Sequence, residues 1–294
     1  MSADRARAGW DSSAFNTGLV FRLADLGCRV LPRSAVLSLS ENLMQWYQGL
    51  RPDVPAAVAD NIRKAFPGLA EREVEALAER TFVRYGQGVV DYLRAPHDPP
   101  RVASADGAAR RLLAIPGGKV LVTAHMGNWE VGGIYLGQMI GRHWIVGFPE
   151  RDPGVDAFRA SRREDSGHAT LSARQDLSTV FRLRSALEAG ESVVVLVDRA
   201  AGSDRTPVRF RGRPSDFLKS PVLLAALSGV PLVPVAVVAE APGEYTALVG
   251  EPVAPTRETR PSDAMQGPAD FFSGVLERYP DQWYNFFRYW QEGP

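Results

Sequence analysis

The 294 residues carry 34 basic and 34 acidic side chains, with 45% hydrophobic and 23% charged overall. This is the composition of a globular protein with one substantial core or two small ones, and it excludes disorder on the scale of a domain. Cancelling charges supply no global field for nucleic acid. The single Cys28 excludes an internal disulfide framework, and His97, His125, His143 and His168 show no pairing with cysteine or with each other that would build a structural zinc site.

The chain opens on MSADRARAGWDSS, which lacks the apolar run of a signal peptide. Phe15, Leu19, Val20, Leu23, Leu26, Val30 and Leu31 then recur at helical spacing, with Arg22, Asp25 and Arg29 on the other side. Those three charges bar the run from spanning a bilayer, so the expectation is an amphipathic helix stopped by Pro32. It either packs its apolar face on the core or lays it in a membrane interface. Ser34 is read as the cap of a second helix carrying Val36, Leu39, Leu43, Met44 and Tyr47, and a third is expected from about Ala70 to Leu93. Residues 1–100 therefore read as a helical region, separated by the stretch around Pro96 to Pro100 from an α/β core over 101–294, with both forming one structural unit.

From Gly117 onward, short Val-rich runs alternate with helical segments. Strands are predicted at Val120 to Ala124, Trp144 to Phe148, Ala169 to Ala173, Val193 to Asp198 and Leu232 to Val238, with helices at 129–140, 154–165, 176–189 and 219–228. Alternation of this kind predicts an α/β fold with a largely parallel central sheet flanked by helices. Strands such as VVVLVD are apolar on both faces, as a covered parallel strand must be. In such sheets ligands bind beyond the carboxyl ends of the strands.

His125 stands at one such end, followed by Gly127 and by Asn128, which is placed to cap the next helix. An imidazole there lies beside the positive end of that helix, with Glu130 in its first turn and close enough to orient the ring. Backbone N–H groups near Gly127 are the expected oxyanion donors. A Gly-x-Ser-x-Gly nucleophile elbow, a phosphate loop and a dinucleotide fingerprint are all missing. Arg205, Arg209, Arg211 and Arg213 fall in a loop or hairpin after the Asp198 strand, where they would meet phosphates of a carrier, coenzyme or anionic lipid.

The string TAHMGNWEVGG, together with Asn61-Ile62-Arg63-Lys64-Ala65-Phe66-Pro67 and with Tyr279-Pro280 followed by Gln282-Trp283, resembles the bacterial lipid A biosynthesis acyltransferase family, which includes the phosphatidylinositol mannoside acyltransferases. The resemblance covers residues from about 15 to 290 and implies a glycerolipid-acyltransferase-like fold. It also implies acyl transfer from acyl-CoA or acyl carrier protein to a hydroxyl of a glycolipid or lipid A-like acceptor, with no cofactor and no metal. By position it makes His125 the base and Glu130 its acidic partner, with Glu130 or Asp198 holding the imidazolium. Asp198-Arg199 stands where mycobacterial members resemble a Glu-Arg pair. Asn128, Glu150, Arg163 and Arg199 are the implied substrate-binding residues.

The resemblance further implies work at the cytoplasmic face of the bacterial inner membrane. Lacking the spanning helix common in lipid A members, the chain is expected to be peripheral and to serve another glycolipid. Hydrolysis of a lipid ester or thioester by the same pair, and non-catalytic lipid binding, are the rival expectations.

Overall fold

The computed structural model describes residues 17–147, 152–172, 177–200 and 202–291. Four helices come first: α1 (Gly18–Val30), α2 (Arg33–Leu50), α3 (Asp53–Ala65) and α4 (Glu71–Arg94). Thr17 opens α1 by accepting the Val20 N–H at 3.4 Å, and Glu73 reaches back to the Ala70 N–H at 2.8 Å to open α4. Ser34 does not cap α2, which already begins at Arg33 after Pro32.

The rest alternates: β1 (Arg101–Ser104), α5 (Ala108–Ala114), β2 (Lys119–Thr123), α6 (Trp129–Ile140), β3 (His143–Gly147), α7 (Pro153–Asp165), β4 (His168–Ser172), α8 (Leu177–Glu188) and β5 (Ser192–Leu196). There follow β6 (Thr206–Phe210), β7 (Arg213–Phe217), α9 (Ser220–Ser228), β8 (Leu232–Ala241), β9 (Glu244–Val249) and α10 (Pro261–Arg278). Seven strands form one sheet in the order β1-β9-β8-β2-β5-β3-β4, parallel except where β8 meets β9, and β6 and β7 make a separate antiparallel hairpin. This is the α/β architecture the sequence predicts.

The sheet is covered on both faces, which is why its strands are apolar throughout. Leu121, Val194 and Val233 pack with Leu112, Leu136 and Ile145 on one side. Val120, Val122, Val193, Val195 and Leu232 pack with Leu183, Leu187, Val222 and Val275 on the other. Each such buried side chain contributes about 2 kcal/mol, and together they hold the layers in place.

Helix α1 is turned opposite to a core-packed amphipathic helix. Asp25 is buried and pairs with Arg162 of α7 and, at 2.7 Å, with Arg29, while Leu19, Leu23, Leu26 and Val30 face outward. In α2, Val36 and Tyr47 are buried but Leu39, Leu43, Trp46 and Leu50 are exposed. Each helix thus packs part of its apolar surface on the core, through Phe21 and Cys28 in α1 and Val36 and Tyr47 in α2, and leaves a row of large apolar side chains outside.

Candidate active site

The central strands bring two side chains together by register alone. β2 and β5 are parallel neighbours with Thr123 aligned to Leu196, so the residues two further on, His125 and Asp198, stand side by side beyond the carboxyl ends. Asp198 Oδ1 lies 2.7 Å from His125 Nδ1 and accepts the His125 backbone N–H at 3.0 Å. Its Oδ2 accepts the Trp283 indole N–H and the Asn285 side-chain amide, each at 3.1 Å. Asp198 has no exposed surface. Burial opposes its ionisation, but the charge and hydrogen bond of His125, then Arg199 and Trp283, outweigh burial and hold the carboxyl well below the usual carboxylate range. A carboxylate accepting at Nδ1 fixes the tautomer in which Nε2 is the basic nitrogen. The imidazole is not sealed, since 17% of its side chain reaches solvent, and it meets Trp129 edge-on at 5.3 Å between centroids.

The turn after β2 explains why its amides are spent elsewhere. Gly127 has φ +57°, and a Cβ there would run into the Val237 carbonyl, so only glycine fits. Met126 N–H donates to Ala124 O at 2.7 Å, Gly127 N–H to Gln282 O at 2.8 Å and Asn128 N–H to Val237 O at 2.8 Å. The expectation that these amides serve an oxyanion is therefore corrected: each is consumed in building the turn.

Glu130, expected to orient His125, instead gives both carboxylate oxygens to Arg163, at 2.6 and 3.1 Å. Burial again opposes ionisation, and the Arg163 charge and hydrogen bonds overcome it, holding Glu130 below the usual range. The acid that reaches the imidazole is Asp198. Asn128 caps α6 as predicted, accepting the Val131 N–H at 3.1 Å, but its amide donates to Gly88 O at 2.9 Å and to Tyr245 Oη at 3.1 Å. That buried side chain braces α6 against α4 and β9. Arg199 is engaged by the closing segment: Nε donates to Asn285 Oδ1 at 2.8 Å, Nη2 to Tyr284 O at 2.6 Å, and the guanidinium covers Phe287. Glu150 lies outside the described residues.

Residues 23–292 match the family model for bacterial lipid A biosynthesis acyltransferase. The chain belongs to this family. It is an acyltransferase, as the sequence resemblance implies. No curated protein matches the chain. Among solved structures it is similar to the 1-acyl-sn-glycerophosphate (LPA) acyltransferase PlsC from Thermotoga maritima, at 15% identity and a TM-score of 0.42, with 86% of this chain and 99% of that chain covered.

In this acyltransferase the closing segment is a strap laid across the strand ends. Met126 bridges Trp283 in antiparallel fashion, and Tyr284 N–H donates to His125 O at 2.8 Å. Sequence reasoning does not single out Trp283, Tyr284 and Asn285 as site residues. The signal for them is the resemblance around Gln282-Trp283, which names a segment without giving it a role.

The arginine cluster also has structural work. Arg211 donates to Ala65 O at 3.2 Å and to Glu277 at 3.1 Å, and Arg213 donates to Lys64 O at 2.9 Å, so both close the carboxyl end of α3. Arg209 bonds Gly212 O, and Arg205 bonds Gly202 O and Asp216. These contacts fold the β6–β7 hairpin onto α3 and brace the hairpin itself. Among the described residues no three His, Cys, Asp or Glu side chains gather as a metal site.

Proposed function

We propose that this acyltransferase moves a fatty acyl group from an acyl thioester, acyl-CoA or acyl carrier protein, to a hydroxyl of a glycolipid acceptor, with His125 as general base and Asp198 as the acid behind it. The reading rests on one observation, the 2.7 Å contact between His125 Nδ1 and the buried Asp198 carboxylate. With Nδ1–H held by Asp198, Nε2 takes the acceptor hydroxyl's proton as that oxygen attacks the thioester carbonyl. Asp198 stabilises the imidazolium that forms. The tetrahedral intermediate expels the thiolate, which takes the proton back from His125, so an ester C–O bond replaces a C–S bond and the base is regenerated. No acyl-enzyme is needed, since the acceptor attacks directly.

Replacing His125 by Ala tests this. With an acyl thioester and a glycolipid acceptor, transfer by H125A is expected to fall by about 10³-fold or more at unchanged melting temperature; full retained transfer would reject the base assignment. Thioester loss at the same rate without acceptor would mark the enzyme as a hydrolase.

The same reading has the protein peripheral, at the cytoplasmic face of a bacterial inner membrane. Supporting it, Leu19, Leu23, Leu26 and Val30 of α1 and Leu39, Leu43, Trp46 and Leu50 of α2 repeat the spacing i, i+4, i+7, i+11 on two neighbouring helices, and Leu19 and Val30 are 68% and 73% exposed. Arg22 and Arg29 on α1 are exposed, which suits anionic headgroups. Among the described residues no helix is long and apolar enough to cross a membrane. Changing Leu23 and Leu26 to Glu should weaken co-sedimentation with anionic vesicles by at least about tenfold. Equal binding by that variant would remove the membrane part of the reading.

A further inference from the structure

The two motifs that flank the catalytic string in sequence converge behind Asp198. Asn285 is buried, and its amide orientation is fixed from both sides: Oδ1 accepts the Arg199 Nε–H at 2.8 Å, which leaves Nδ2 to donate to Asp198 Oδ2 at 3.1 Å. Trp283 Nε1 donates to the same oxygen at 3.1 Å. The strap that carries both residues is held by one side chain of α3. Asn61 Nδ2 donates to Asn285 O at 2.9 Å and to Phe287 O at 2.7 Å, and its Oδ1 accepts the Tyr289 N–H at 2.8 Å. Asn61 is itself buried, so those three bonds exchange with no water and replace the ladder partners that irregular backbone at 285–289 lacks.

We propose that Asn285 and Trp283 are positioning residues of the acyl-transfer site, anchored by Asn61, that act on His125 only through Asp198. A carboxylate free to rotate offers either oxygen to the imidazole at varied angles. With Oδ2 tied to two donors, Oδ1 is aimed at Nδ1. The two donors also set how strong a base Asp198 is, because each stabilises its charged form. The charged groups facing this carboxylate are His125 from the end of β2 and Arg199 beside it. The inference rests on the reading of His125 as general base.

The test measures kcat, KM and the pH dependence of kcat/KM for Asn285→Ala and Trp283→Phe in the full chain, with H125A as control. Removing either donor makes Asp198 a stronger base, raises the proton affinity of His125, and moves the acid limb of kcat/KM to higher pH by several tenths to about one unit. The expected kcat loss is about tenfold for N285A and about threefold for W283F, with KM within about twofold. W283F keeps a ring in the same packing and serves if N285A does not fold. Wild-type acid limbs, or a loss carried by KM alone, would overturn the positioning role. Turnover retained in H125A would instead overturn the base assignment on which it rests.

Discussion

His125 and His168 lie on the same parallel sheet in aligned pairs, and their surroundings are opposite. His125 stands beyond the carboxyl end of β2, level with Asp198 beyond β5, partly open and against a carboxylate that accepts four hydrogen bonds. His168 is the first residue of β4, level with His143, the first of β3, and the two rings lie 4.3 Å apart between centroids. Both are buried, and within the described residues His143 Nε2 and His168 Nδ1 have no hydrogen-bond partner. Burial, and then the neighbouring His143, push His168 down to about 4. Gly133 and Gly137 of α6 allow that helix to close over it, since a Cβ at either would come within 3.2 Å of the ring. The contrast shows that what separates an open, carboxylate-paired imidazole from a sealed one here is the end of the strand it occupies. The carboxyl ends meet loops, a helix start and a carboxylate, whereas the amino ends meet helix walls.

The contrast breaks most visibly through Asp198. Replacing it by Asn keeps the shape but allows the wrong tautomer at His125, and acyl transfer is expected to fall by about 10³-fold with little change in KM. Wild-type transfer by D198N would mean that the register of β2 and β5 has no catalytic consequence.

The amino-end pair predicts a smaller effect, on stability and not on rate. His168 is neutral in the fold, with a value near 4 against about 6.5 in the unfolded chain, so the unfolded state binds more protons between those values. Folding stability is therefore intact above about pH 6.5 and declines as pH falls toward 4, by up to about 3 kcal/mol from this group. Urea unfolding at pH 7.5, 5.5 and 4.5 measures it. His168→Gln should flatten that slope, and an equally steep slope in the variant would place the acid sensitivity elsewhere.

Much of this architecture is legible in the amino-acid sequence. Five strands and seven of the helices are where periodicity puts them, the strands because a doubly covered sheet writes its burial directly into Val-rich runs. β9 and the short, mostly exposed β1 carry weaker patterns. Helix α10 escapes sequence reasoning because Pro268 reads as a break; it is tolerated in the interior of the helix, where it is buried. At the site, the position of His125 and the Asp198-Arg199 pair are visible. The partner of Glu130 is not, because Arg163 sits 33 residues away on another helix and nothing in either local string reports that distance. The contacts of the hairpin arginines are hidden for a related reason: a charged side chain advertises its charge but not whether a helix's final carbonyls are waiting for it.

By itself the amino-acid sequence determined the class of fold, the strand ends where chemistry belongs, the histidine and the family. Local periodicity and residue type are short-range properties, and they survive without knowledge of neighbours. Only the tertiary structure decided which acid faces His125, that Glu130 belongs to Arg163, that α1 shows its leucines to the outside, and that residues 61 and 285 meet behind the same carboxylate. Those are facts of strand register and helix rotation, in which a shift of one residue moves a side chain to the opposite face, and they arise only when the whole chain is packed.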